Sequence, residues 1–149
     1  KKFDKLFNKK NNYVLASFNQ HTNYPLIKKL LNQLKDNSEI KIVKYNNHLA
    51  YMDSLKDFKY SVCPEGNGLD THRIWESILV NTIPIVSRSV LTTEFSEMGA
   101  PILIINNLNE LANLTIKDLD GLIIEQNISF SKSFIYLEHW LDVINSKKI

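Results

Sequence analysis

The sequence predicts an α/β domain of Rossmann-like architecture, a mostly parallel sheet with helices on both faces. Three observations carry that prediction. Short β-rich runs alternate with stretches of helical periodicity. The strand runs are almost continuously apolar, as strands covered on both faces are. And 149 residues amount to one domain, with no internal repeat or linker. Such sheets place ligands beyond the carboxyl ends of their strands, so the loops that follow strands are where function is sought.

Residues 1–12 read as a basic tail or linker and residues 13–149 as the domain. The first strand, 13–18, is followed by Pro25, which suits the first turn of a helix. Leu26, Ile27, Leu30, Leu31 and Leu34 then recur at helical spacing. A second strand covers 40–45, one or two helical turns 48–58, and a short third strand 60–63, ended by Pro64. A helix over about 71–80 leads to a fourth strand at 83–86. Pro84 has no N–H for a ladder, which predicts an edge position or an irregularity. Residues 101–105 form the fifth strand. Helical stretches follow at 108–114, at 115–126 with Gly121 as a weak point, and at 134–145.

Composition narrows the function classes. Hydrophobic residues at 44% and charged residues at 23% are ordinary globular usage and exclude a disordered chain. A single cysteine, Cys63, excludes an intramolecular disulfide and an all-cysteine zinc site. No apolar run approaches the roughly 18 residues of a membrane span, and the basic start is not followed by the apolar region of a signal peptide. The expectation is a cytoplasmic protein or a soluble part of a larger one. Residues 1–59 hold 12 Lys/Arg against 5 Asp/Glu, whereas residues 60–149 hold 6 against 11. Without an aromatic-interleaved basic stripe or zinc-finger spacing, this asymmetry reads as solvated surface, and no nucleic-acid partner is expected. His48, His72 and His139 lack paired ligand spacing and no Asp-x-Asp occurs, so no metal site is predicted.

One loop carries chemistry. Residues 63–76, Cys-Pro-Glu-Gly-Asn-Gly-Leu-Asp-Thr-His-Arg-Ile-Trp-Glu, place Gly66 and Gly68 straight after a strand and straight before a helix. Glycine permits positive φ and close backbone approach, so N–H groups there can converge on an anion. The helix start adds unpaired N–H groups and partial positive charge, with Asp70 or Thr71 as N-cap. His72 and Arg73 oppose the helix dipole unless an anion offsets them, and Arg73 can chelate phosphate oxygens bidentately. Glu76 shares their face one turn on, where a carboxylate can accept from a ribose diol. The bland alternative is a structural salt bridge of Arg73 with Glu76 or Asp70. The loop is not a P-loop and lacks the third glycine of the dinucleotide fingerprint.

The run from Cys63 through Gly68, with Thr71 to Ser77 and Ile83 to Val86, resembles the sugar-nucleotide-binding domain of exostosin-like glycosyltransferases, the C-terminal half of a two-domain GT-B fold. The resemblance is strong over residues 60–86 and extends in layout from 13 to about 126. It implies that Arg73 meets a diphosphate, that Glu76 holds the ribose, and that Gly66, Asn67 and Gly68 lie beside the donor. It also implies metal-independent transfer, with no cofactor beyond the donor nucleotide sugar, a UDP-sugar being favoured and a GDP-sugar the alternative. The partners would be that donor, a glycan acceptor, and an N-terminal acceptor domain outside this chain. The chain departs from the family at Glu65, commonly Arg, and at Asn81-Thr82, which replaces a Gly-Cys-like pair.

Around this core, Asn19, Gln20, His21 and Thr22 follow the first strand, and Ser87, Arg88 and Ser89 the fourth. Arg88 is the best further donor to the diphosphate, while Ser89 could cap a short helix. Asn106 and Asn107, after the fifth strand, either read a nucleobase edge or turn the chain, the turn being favoured. Glu65 and Asp70 could act as a carboxylate pair, Glu65 touching sugar hydroxyls, and the catalytic candidates are therefore Arg73 and Glu65. Asp70, Thr71 and His72 complete the binding set. Cys63 reads as inert packing. Trp140, with Phe134, Leu137, Leu141 and Ile144, forms an apolar stripe that is either core or a docking face. Two other classes stay open: a non-catalytic nucleotide- or phosphate-binding module, and a plain α/β interaction domain whose glycine loop is only a tight turn.

Overall fold

The computed structural model describes Phe7, residues 9–19, 24–68 and 70–146. In chain order the elements are β1 (Asn11–Ala16), α1 (Tyr24–Leu34), β2 (Ile40–Ile42), α2 (His48–Leu55), β3 (Phe58–Val62), α3 (His72–Leu79), β4 (Ile83–Ser87), α4 (Val90–Glu97), β5 (Leu103–Ile105), a 3₁₀ segment Leu108–Asn113, α5 (Ile116–Glu125), a 3₁₀ turn Ser133–Ile135 and α6 (Leu137–Ser146). The five strands pair in parallel in the order β2-β1-β3-β4-β5. This is the Rossmann-like, doubly wound α/β class the alternation predicts.

Burial follows the strand period. Val14 and Ala16 face α1 and α5, packing with Leu30, Leu34, Leu119 and Ile123, while Leu15 faces the other way onto Tyr51 and Leu55 of α2. Further along that second face, Ile74 and Ile78 of α3 and Phe95 of α4 pack on Val86 and Ile104. Helices thus cover both faces, and the strand order reverses between β1 and β3: β2 is added on one side of β1, and β3 to β5 on the other. Folds of this type form their ligand crevice at such a reversal, at the carboxyl edge.

The structure corrects the sequence reading in several places. Pro84 lies in β4, an interior strand. It is tolerated because Cys63 N–H donates to Ile85 O, and strand alternation then turns the Pro84 nitrogen away from β3. On the β5 side, pairing starts only at Ile85, so the missing N–H falls before that ladder begins. Helix α4 is an additional element. Ser89 does cap it, accepting from Thr92 N–H while Thr92 Oγ1 accepts from Ser89 N–H. The segment read as a tail enters the fold before residue 13: β1 begins at Asn11, and Phe7 is 6% exposed, edge-on to Phe130 at 5.8 Å. Asn81 adopts φ 60 just past α3, the left-handed position where glycine is usual and asparagine the best substitute. Thr82 is fully buried, and its hydroxyl lies 2.9 Å from both Leu55 O and Phe58 O. Together these account for the Asn-Thr pair.

Cys63 is 2% exposed, and burial pushes its thiol up to about 12. A thiol held protonated is a poor nucleophile. We therefore expect negligible labelling by a thiol-specific disulfide reagent in native buffer and full labelling in denaturant. Fast native labelling would contradict the packing.

Candidate functional site

Two cavities open side by side at the carboxyl edge of the sheet. The first, about 510 Å³, is lined by Phe18, Asn19, Ile27, residues 64–68 and residues 70–73. The second, about 460 Å³, lies beyond the ends of β1 and β2, where Phe18, Ile42, Val43, Tyr45 and Tyr51 meet Lys44, Asn47, His48 and Glu76. Phe18, Asn19, His72 and Arg73 line both, so they form one cleft with Arg73 at the junction. Volumes of this order suit small molecules.

The glycine loop keeps open space. A Cβ placed on Gly68 would meet nothing within 4 Å, and its backbone is not left-handed. The expected positive φ is thus not used at Gly68; what glycine leaves there is bare backbone facing the first cavity. Thr71 is the N-cap of α3, with extended φ and ψ, and its Oγ1 accepts from Arg73 N–H at 3.5 Å. Asp70 lies just outside the helix and accepts from the Trp75 indole N–H at 3.1 Å. His72 is exposed on the first turn, its Nε2 4.0 Å from Glu76 Oε1.

The salt bridge that would explain Arg73 without a ligand is not formed. Among the described residues Arg73 makes no ion pair with a carboxylate, and its guanidinium lies 5.2 Å from the centre of the Tyr51 ring. Tyr51 is 6% exposed, and burial raises its hydroxyl above the usual range while nearby Arg73 pulls it back. Its hydroxyl forms no well-aligned hydrogen bond. Glu76 is held instead by His48, Nε2 to Oε1 at 2.6 Å, with side-chain exposures of 68% for His48 and 17% for Glu76. An ionised carboxylate only accepts, so Nε2 carries the proton. Glu76 Oε2 is buried without a partner. Glu76 nevertheless lines the second cavity.

The remaining candidates divide. Glu65, Gly66, Asn67, Gly68, Asp70, Thr71, His72 and Arg73 all line the first cavity, and Glu76 the second. Arg88 lines neither; it donates from Nε to Asn106 Oδ1 at 3.1 Å across the ends of β4 and β5. Gln20, His21 and Thr22 lie outside the described residues. Sequence reasoning missed Tyr51 and assigned His48 no role beyond excluding it as a metal ligand. Their one signal was position, just past the second strand at the carboxyl edge.

Among the described residues no group of three or more His, Cys, Asp or Glu is placed to hold a metal ion, and no helix is long and apolar enough to cross a membrane. Fold and cleft define a doubly wound α/β domain with a cationic helix start at its topological switch point. No protein-family model matches the chain, and no curated protein matches its sequence.

Proposed function

We propose that the cleft binds a nucleoside diphosphate sugar and that the chain is the donor-binding domain of a glycosyltransferase, as the exostosin resemblance implies. The observation that carries this reading is Arg73, a guanidinium without a carboxylate partner among the described residues, at the start of α3 where two cavities join. An anion there meets helix N–H groups, the positive end of the helix and a bidentate donor together. The diphosphate spans the junction, the ribose reaches Glu76, the base enters the second cavity, and the sugar lies beside the Gly66–Gly68 loop near Glu65 and Asp70. UDP is favoured over GDP on the resemblance alone.

The chemistry follows from charge. In glycosyl transfer the bond from the anomeric carbon to the diphosphate oxygen breaks as an acceptor hydroxyl oxygen bonds to that carbon and loses its proton to a base. Negative charge grows on the departing diphosphate, and pre-placed donors stabilise it more as it develops. Arg73 is the catalytic group in this scheme. Glu65 contributes contacts to sugar hydroxyls, and an acceptor domain outside this chain supplies the acceptor.

Calorimetry with UDP, GDP and inorganic diphosphate tests the reading, and a true guest also stabilises the fold by RT ln(1 + [L]/Kd), which raises the melting temperature. No heat with any of the three would leave the plain interaction domain. Glu76→Ala is expected to weaken UDP about tenfold, the size of one charge-assisted hydrogen bond, while leaving inorganic diphosphate unaffected. Wild-type UDP affinity in that variant would remove the ribose assignment.

A further inference from the structure

We infer that α2 is a positioning brace for the two recognition side chains of α3: His48 clamps Glu76 and Tyr51 backs Arg73. The inference rests on the nucleoside diphosphate reading and adds to it an element that touches none of the reacting atoms. Its basis is a matched spacing. His48 and Tyr51 are three residues apart on α2, and Arg73 and Glu76 three apart on α3, so each pair lies on one face of its helix. The two faces meet crosswise, the His48 imidazole 2.6 Å from the Glu76 carboxylate and the Tyr51 ring 5.2 Å from the Arg73 guanidinium.

Each contact is itself anchored. Asn47 caps α2 through its side chain, accepting from Ala50 N–H at 2.8 Å, which fixes the turn that begins with His48. Tyr51 and Leu55 bury the opposite end of the helix against Leu15 and Phe58. The Tyr51 ring also stands edge-on to Tyr45 at 5.9 Å, so it cannot swing away from Arg73 without breaking that packing. A long glutamate and a long arginine each lose considerable rotamer freedom when fixed. With α2 in place that entropy is lost on folding, and a guest meets groups already set.

The test compares UDP with inorganic diphosphate on the full chain. His48→Ala should weaken UDP about fivefold and leave inorganic diphosphate unchanged, because it acts through the ribose carboxylate. Tyr51→Leu should weaken both by about two- to fivefold, because it acts through the guanidinium, and Tyr51→Phe, which keeps the ring, should restore most of that loss. A double-mutant cycle separates positioning from direct contact: in a Glu76→Ala background, His48→Ala should change UDP affinity no further. Additive losses, or tighter UDP binding in His48→Ala, would overturn the brace while leaving the nucleotide site standing. If the wild type binds neither probe, the site reading fails and the brace falls with it. Should Tyr51→Leu not fold, the His48–Glu76 cycle decides alone.

Discussion

On the proposed glycosyltransferase reading, replacing Arg73 with alanine is expected to cut transfer turnover by roughly 10²–10³, the range for loss of one preorganised donor to developing negative charge. On this chain alone the same change should weaken UDP and inorganic diphosphate together, by about tenfold or more, since a hydrogen bond to a charged group contributes about 1.5–3 kcal/mol. Folding should scarcely suffer. Among the described residues Arg73 holds no carboxylate in place, and the contact it gives up is the one with the Tyr51 ring. Arg73→Lys discriminates further: an ammonium keeps the charge but not the planar fork, so it should recover only part of the loss. Equal affinity of Arg73→Ala and wild type for both probes would remove the guanidinium from the site and with it the proposed role of the cleft.

The residues of this site that could be read from sequence are those contiguous in the chain. Gly66 to Glu76 follow one strand and open one helix, so their shared location depends on local geometry. The strands were legible for a related reason: runs such as residues 83–86 are apolar on both faces because both faces are covered. What sequence concealed are contacts between distant segments. His48 and Glu76 are 28 residues apart, and only the β2-β1-β3 order brings α2 beside α3. Helix α4 is legible only as the short helix that Ser89 could cap, because its capping box pairs Ser89 with Thr92, where the recognised pattern has Glu or Gln. Of the two readings of Pro84, the edge position fails because β4 is interior, and the ladder irregularity holds because the β5 side begins one residue later.

Lys10 concealed most. Placed by composition in a solvated basic tail, it extends its ammonium to Lys56 O at 2.8 Å, Phe58 O at 3.1 Å, Val80 O at 3.2 Å and Thr82 Oγ1 at 3.2 Å. One side chain thus ties the entry to β1 to the α2–β3 turn and the α3–β4 turn, the connections that carry the braced helices. Lys10→Met keeps the aliphatic stem and removes the donor, leaving part-buried carbonyls short of a partner. The expected loss is about 1–3 kcal/mol, a fall in melting temperature of about 2–4 °C for each kcal/mol. The alkaline response gives a second reading with a definite sign. Burial lowers the Lys10 ammonium to about 8, against the pull of Asp57. Between about 8 and the ordinary 10.5 the unfolded chain therefore binds more protons than the folded one, and this lysine makes stability rise with pH across that window. Lys10→Met should lose that rise while keeping whatever the rest of the chain contributes. Urea unfolding of both proteins at pH 7.5 and pH 9.5 measures it. A stability difference between them that is near zero and does not change with pH would mean that Lys10 lies in solvent and ties nothing together.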